Sequence, residues 1–226
     1  MGVDTTDATD EYGIPIIPDP TDAAQRKRRA IIDSALTEFL AEGYSAASMD
    51  AITSRSGVSK ATIYKHFGSK ERLFLAVIGG VLPSTYAGLE SCTSTIVQAP
   101  DLREALIDLT TAWARALLRP DIMSLRRLVI GETERFPQLG QLWYRLSYDM
   151  INGPLTEAFT ELDRLGRLTA PEPELAVQQL VAATIGVPQL MRTFAPDSVL
   201  DDAYLATLIS SGVDLLLARY AGCAEG

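Results

Sequence analysis

The sequence predicts an all-α protein, with a small three-helix head containing a helix-turn-helix and a larger helical bundle behind it. Three observations lead there. Apolar residues recur at three- and four-residue spacing along most of the 226-residue chain. Ser, Gly and Pro punctuate the points where such helices must begin or end. No stretch alternates with period two between turn pairs, so no sheet is expected.

Residues 1–21 carry Asp, Thr, Pro and Gly around a short Ile14-Pro15-Ile16-Ile17-Pro18 patch and read as a disordered acidic tail. The head, residues 22–68, opens with a helix in which Ile32, Ala35, Leu36, Phe39 and Leu40 share a face, ended by Glu42-Gly43. Ser48 stands where an N-cap belongs, and Met49 and Ile52 begin a short second helix that Gly57 breaks. Ser59 caps a short third helix with Ile63 and Phe67 inward. Ser69 caps a fourth from about Lys70, carrying Leu73, Phe74, Val77 and Ile78 at helical spacing.

Residues 69–226 continue in helices near 101–118, 122–132, 137–165, 172–193 and 200–220, separated by Pro100, Pro120, Pro137, Pro171 and Pro196. The helix near 137–165 is apolar on two faces. Leu139, Leu142, Trp143, Leu146 and Met150 lie on one, and Tyr144, Tyr148, Ile151 and Leu155 on the other, which predicts burial among other helices. Gly153-Pro154 is expected to kink it.

A net charge of −9 argues against a nucleic-acid partner until it is mapped along the chain. Residues 1–25 hold six acids and no base, residues 26–75 nine bases against five acids, and residues 76–226 eleven bases against eighteen acids. Every lysine (Lys27, Lys60, Lys65, Lys70) falls in the middle block. Only charges within about 10 Å of a phosphate escape screening at 0.1 M salt, so this local footprint is compatible with DNA inside an acidic protein. Cys92 and Cys223 are too few for a disulfide framework or a metal knuckle and read as reduced thiols. The N-terminus lacks the basic-then-apolar layout of a signal peptide, and no apolar run approaches the roughly 18 residues that span a bilayer. A cytoplasmic chain with no membrane contact is expected.

The chemistry concentrates between Ser48 and Lys70. Gly57 supplies a residue tolerant of positive φ at the tight turn. Ile52, Val58 and Ile63 form a small core that fixes the angle between the second and third helices. The outward face of the third helix then carries Lys60, Thr62, Tyr64, Lys65 and His66, donors suited to phosphates and base edges. Spacing alone fits a solvated helical hairpin with polar decoration as well.

The string Lys60-Ala-Thr62-Ile-Tyr64-Lys-His66-Phe-Gly-Ser-Lys70-Glu-Arg-Leu-Phe, preceded by the Gly57-Val58-Ser59 turn, resembles the DNA-binding signature of the TetR/AcrR family over roughly residues 26–75. The stretch from Leu125 through Glu132 and Phe136-Pro137 resembles, more loosely, the AefR-like C-terminal domains of one branch of that family. The resemblance implies a homodimeric DNA-binding head joined to a ligand-binding regulatory domain. It gives Lys60 and Thr62 major-groove positions, with Ser59 at the helix start. It gives Tyr64 and His66 sugar-phosphate contacts, with Lys65 between them on the exposed side. Lys70 matches a phosphate-binding lysine and Ser48 a capping position near phosphate. Thr53 and Ser56 stand where family members commonly show Ala. The Arg26-Lys27-Arg28-Arg29 run fits either a solvated helix start or phosphate contact.

Trp113, Met123, Phe136, Trp143, Tyr144, Tyr148 and Met150 supply surface of the kind that lines ligand cavities, although the same stripe fits plain core. The apolar faces Leu180, Ala183, Val187, Leu190 and Leu205, Leu208, Ile209, Val213, Leu216 exceed one covering layer and predict pairing of the helices near 172–193 and 200–220 across a dimer axis. No nucleophile–base pair, carboxylate pair or metal spacing occurs, so no catalytic residue, metal or cofactor is expected. The expected partners are palindromic double-stranded DNA, a second copy of the chain and an unidentified small-molecule effector. The alternative is a ligand-independent or architectural DNA-binding protein.

Overall fold

The computed structural model describes residues 23–87 and 95–222. The tail expected over 1–21, and the thiols of Cys92 and Cys223, lie outside the described residues. The described residues are helical apart from turns, short irregular connections and one isolated bridge between Leu168 and Ala221. No described helix is long and apolar enough to cross a membrane.

The chain divides into two compact units. The first ends at Ser84 and resumes from Ser124 to Leu146; the second takes Thr85–Met123 and everything from Ser147 onward. The first begins with α1 (Ala23–Ala46), interrupted at Gly43, whose φ of +76° is non-helical. Its buried face is Ile31, Ile32, Ala35 and Phe39, whereas Leu36 and Leu40 are only half-buried. Next come α2 (Met49–Ser56), α3 (Lys60–Phe67) and α4 (Lys70–Tyr86). The caps fall where the serines predict them. Ser48 Oγ accepts from the Asp50 and Ala51 amides, Ser59 Oγ from Thr62 and Ser69 Oγ from Arg72. Gly57 ends α2 at φ +68°, ψ +18°, and its amide donates to the Thr53 carbonyl. Ile52 and Ile63 are wholly buried on the facing sides of α2 and α3. Each such side chain contributes about 1.5–3 kcal/mol of burial, which holds the two short helices at one angle.

Residues 124–146 carry the end of α6 (Pro120–Glu132) and most of α7 (Pro137–Ser147), and they pack with the head. One of their contacts with it is aromatic. The Phe136 ring meets Tyr44 edge-on at 5.1 Å, and Tyr44 leans on Phe74 at 5.3 Å and stacks on Phe39 at 5.8 Å.

The second unit contains α5 (Leu102–Leu117), α8 (Gly153–Arg164), α9 (Pro173–Val181), α10 (Val187–Phe194) and α11 (Asp202–Tyr220). The helix expected over 137–165 is not continuous. A π turn at Tyr148–Asn152 separates α7 from α8, with the Gly153 amide donating five residues back to Tyr148. A second π turn, Ala182–Gly186, splits the helix expected over 172–193. Each π turn ends just before a proline, Pro154 or Pro188, that has no N–H for the ordinary fourth-residue bond. Around the second turn the packing is tight. A Cβ on Gly212 of α11 would lie 2.5 Å from Thr184 Cγ2 and 3.2 Å from the Ala183 carbonyl. Arg103 of α5 and Asp214 of α11 form a two-pronged exposed ion pair at 2.6 and 3.0 Å.

Candidate DNA interface

Ile63 and Phe67 are buried, so the helical repeat turns Lys60, Ala61, Tyr64 and Lys65 to the exposed side of α3 and leaves Thr62 and His66 half-buried at its margins. Lys60, Thr62, Tyr64, Lys65 and His66 thus lie on or beside one helix face, with Ser59 capping its start. The Ser59 hydroxyl also lies 2.8 Å from the Thr62 hydroxyl, so the two side chains order each other. Lys60 Nζ pairs with Asp50 at 2.9 Å, which holds the ammonium above the ordinary lysine range. Burial, followed by repulsion from Arg28, Lys65 and Lys27, pushes the His66 imidazole below its usual value. A base already surrounded by cations stays neutral more readily at pH 7.

Ser48 and Lys70 belong to a second cluster, at the α1–α2 corner. Ser48 is exposed; its amide donates to the buried Glu38 carboxylate at 3.0 Å, while its hydroxyl caps α2. Lys70 Nζ donates to the carbonyls of Ser45 and Ala47 at 3.2 and 2.7 Å and lies 5.0 Å from the Tyr44 ring centre. Burial lowers its proton affinity despite the opposing pull of Glu132 and Glu38.

The basic run at the start of α1 splits. Arg26, Lys27 and Arg29 are exposed, and Arg29 pairs with Asp33 at 3.3 Å. Arg28 is buried, with its guanidinium 4.6 Å above the Phe67 ring and Nη1 donating to the His66 carbonyl at 3.4 Å. It thus contacts the C-terminal end of α3, where a cation is favoured. The signal was present in the spacing: Arg28 stands three, four and seven residues before Ile31, Ile32 and Ala35, on the inward face. Asp50 and Glu38 had no such signal, because their partners lie across a turn.

Six side chains are expected from the sequence to line a pocket. Trp113, Met123 and Tyr148 fall in the second unit; Phe136, Trp143 and Tyr144 fall in the first. Trp113, Met123 and Trp143 are buried, Phe136 and Tyr148 half-buried, and Tyr144 is 68% exposed. Met150, named with them, is half-buried. The Tyr148 hydroxyl donates to the Glu174 carboxylate. Within the second unit a small groove is lined by Leu180, Ala183, Gly212, Leu215, Leu216 and Tyr220, none of which belongs to that set. Of the apolar faces expected at a dimer axis, Leu180, Leu205, Ile209, Val213 and Leu216 are already buried within the chain. The apolar surface left exposed on α10 and α11 is Val187, Leu190, Phe194, Tyr204 and Leu215.

Two capped helices around a left-handed glycine, with an exposed cationic and hydroxyl-bearing face on the second, define a helix-turn-helix DNA-binding protein. The family model "Bacterial regulatory proteins, tetR family" matches residues 31–77, and that of the AefR-like transcriptional repressor C-terminal domain matches residues 104–222. The chain belongs to the TetR family of transcriptional regulators. It is 38% identical over 69 residues to the HTH-type transcriptional activator FasR of Mycolicibacterium smegmatis, an alignment covering 30% of this chain and 32% of that one. The chain thus spans about a third of that curated relative's length. A crystal structure assigned to a TetR-family regulator of Mesorhizobium loti superposes with a TM-score of 0.84 at 30% identity, over 88% of this chain and 99% of that one. The flavonoid-responsive regulator FrrA superposes with a TM-score of 0.70 at 28% identity, over 88% and 99%.

Proposed function

We propose that this regulator is a homodimeric repressor that reads a palindromic operator and is released from it by a small hydrophobic or aromatic ligand. The observation that carries the DNA reading is the exposed face of α3, on which Lys60, Tyr64 and Lys65 stand clear of the core, flanked by Thr62 and His66. In this reading Lys60 and Thr62 approach base edges from the capped start at Ser59. Tyr64, Lys65 and His66 take sugar-phosphate contacts, and Ser48 and Lys70 a further phosphate. Residues 22–68 act as the DNA-binding head and 69–226 as the ligand-binding and dimerisation part. Two heads would enter successive major grooves about 34 Å apart. The exposed apolar side chains of α10 and α11 support self-association, since burying such side chains against a second copy removes apolar surface from water.

Ligand release is supported by the likeness to FrrA, which is described as flavonoid-responsive. The sign of regulation is argued from the AefR-like repressor domain, although the relative FasR is described as an activator. A ligand-independent regulator is the second reading, favoured by Trp113 and Met123 being sealed at 1% and 2% exposure as ordinary core. A duplex selected by the protein from a random pool provides the probe. Lys60→Ala and Tyr64→Ala are expected each to weaken binding to it, with protection lost from the two half-sites. Intact affinity and an unchanged footprint in both variants would reject α3 as the recognition helix. Transcription from a template carrying the selected site should fall on adding the protein, and a thermal-shift screen with no stabilising compound would favour the ligand-independent reading.

A further inference from the structure

We propose that Phe136, at the corner between α6 and α7, is a positioning residue for DNA binding that acts on Lys70 through Tyr44. The inference rests on the DNA interface described above and extends it to a residue lying outside the segment 31–77 that the DNA-binding family model matches.

The corner is rigid in its own right. The amides of Arg135 and Phe136 both donate to the Glu132 carbonyl, at 3.1 and 2.8 Å, and Leu139 donates back to Phe136 at 3.0 Å, so Pro137 enters α7 from a fixed direction. From this base the Phe136 ring presents its contact to Tyr44 at 5.1 Å with the planes 71° apart. Tyr44 is buried, backed by Phe39 and Phe74 and met edge-on by Phe136. Its ring is the surface over which the Lys70 ammonium sits. One residue along α4, the Glu71 carboxylate accepts from the Gln138 amide, so the same corner holds the start of α4 at a second point.

Lys70 has three N–H donors, and the carbonyls of Ser45 and Ala47 take two of them. Those carbonyls lie three residues and one residue before Ser48, the exposed cap of α2. The ammonium is therefore parked beside the N-terminal end of α2, where two positive features converge and one donor remains for a phosphate oxygen. A partly dehydrated cation keeps this place only while the ring beneath it and the two carbonyls hold still. Removing the Phe136 ring opens the side of Tyr44 that faces the corner. Tyr44 can then rotate, and Lys70 loses its seat and swings into water.

The test uses the full-length protein, the selected duplex and fluorescence anisotropy between 50 and 200 mM KCl. Lys70→Ala is expected to reduce the salt slope by about 1 per head, the signature of one lost phosphate contact. Phe136→Ala should reproduce that loss. Phe136→Leu should restore most of it. The double variant should bind no more weakly than Lys70→Ala alone, because both changes remove the same contact. Additive losses, or a folded Phe136→Ala with unchanged affinity and slope, would overturn the proposal. Where Phe136→Ala does not fold, Gln138→Ala takes its place: a reduced slope that vanishes in the Lys70→Ala background supports the proposal, and an additive or absent effect overturns it. If Lys60→Ala and Lys70→Ala both leave binding intact, the DNA interface itself is wrong. If Lys60→Ala weakens binding and Phe136→Ala does not, only the positioning role fails.

Discussion

Asp50→Asn removes the carboxylate that pairs with Lys60 on the DNA-facing side of α3. Asp50 is in the first turn of α2, and its carboxylate lies 2.9 Å from Lys60 Nζ, with the two side chains 76% and 49% exposed. So exposed a pair adds little to stability, but it sets the charge offered to DNA. With Asp50 present the pair is neutral; with Asn in its place Lys60, beside the base edges it approaches, can swing to the neighbouring phosphate, so each head presents one more uncompensated cation. Neutralising one further phosphate steepens the dependence of log K on log salt by about 0.9. A dimer with two such heads should therefore steepen by about 2. Across the fourfold change from 50 to 200 mM salt, each added contact corresponds to about a 3.5-fold greater loss of affinity. The gain at low salt should appear on random duplex as much as on the selected duplex, because a phosphate contact carries no sequence information. Asp50→Asn is thus expected to tighten non-specific binding and narrow the ratio between selected and random DNA. Anisotropy titrations of both duplexes at four salt concentrations measure both quantities. A slope equal to or shallower than that of the unmodified protein would refute the reasoning, and would mean that Lys60 does not approach a phosphate when freed.

Two further expectations concern stability. Gly57→Ala places a Cβ in open space but at φ +68°, so its cost is purely backbone, about 1–2 kcal/mol. Gly57→Asn should cost less, and denaturant unfolding of the two variants that gave equal losses would show that the turn is not held left-handed. Because the His66 pKa is lowered below 6.5 in the folded chain, the unfolded state binds more protons between the two values, so this contribution to stability is present above pH 6.5 and fades as pH falls. His66→Gln should flatten the stability difference between pH 8 and pH 5.5, and identical pH dependence in the two proteins would show that the histidine is not responsible.

The helix starts at Ser48, Ser59 and Ser69, the break at Gly57 and the inward face of Ile63 and Phe67 are legible in the chain because they depend on neighbours within one or two turns. A serine caps the amides two or three residues ahead wherever the helix lies, and a left-handed turn asks for glycine in any context. The face of α3 follows from the same period, so the candidate contacts were readable before any fold was known. What the period could not supply is charge and packing between residues far apart in sequence. Lys60 reads as a free cation until α2 brings Asp50 against it, and Arg28, though its spacing puts it on the inward face, has no visible partner until Phe67 arrives beneath it. The π turns before Pro154 and Pro188 needed the register of neighbouring helices, because a missing N–H can be met by a kink, a break or a wider turn. Phe136 is the furthest case: it is 92 residues from Tyr44, and although the AefR-like stretch and the aromatic stripe both include it, nothing local points to a contact with the head. Sequence alone determined the all-helical class, the caps of the short helices and the motif, since these are short-range hydrogen-bond and steric problems. Tertiary structure decided which charges are paired, which rings are shared, and that residues 124–146 fold with the head, because burial and Coulomb pairing depend on proximity in space.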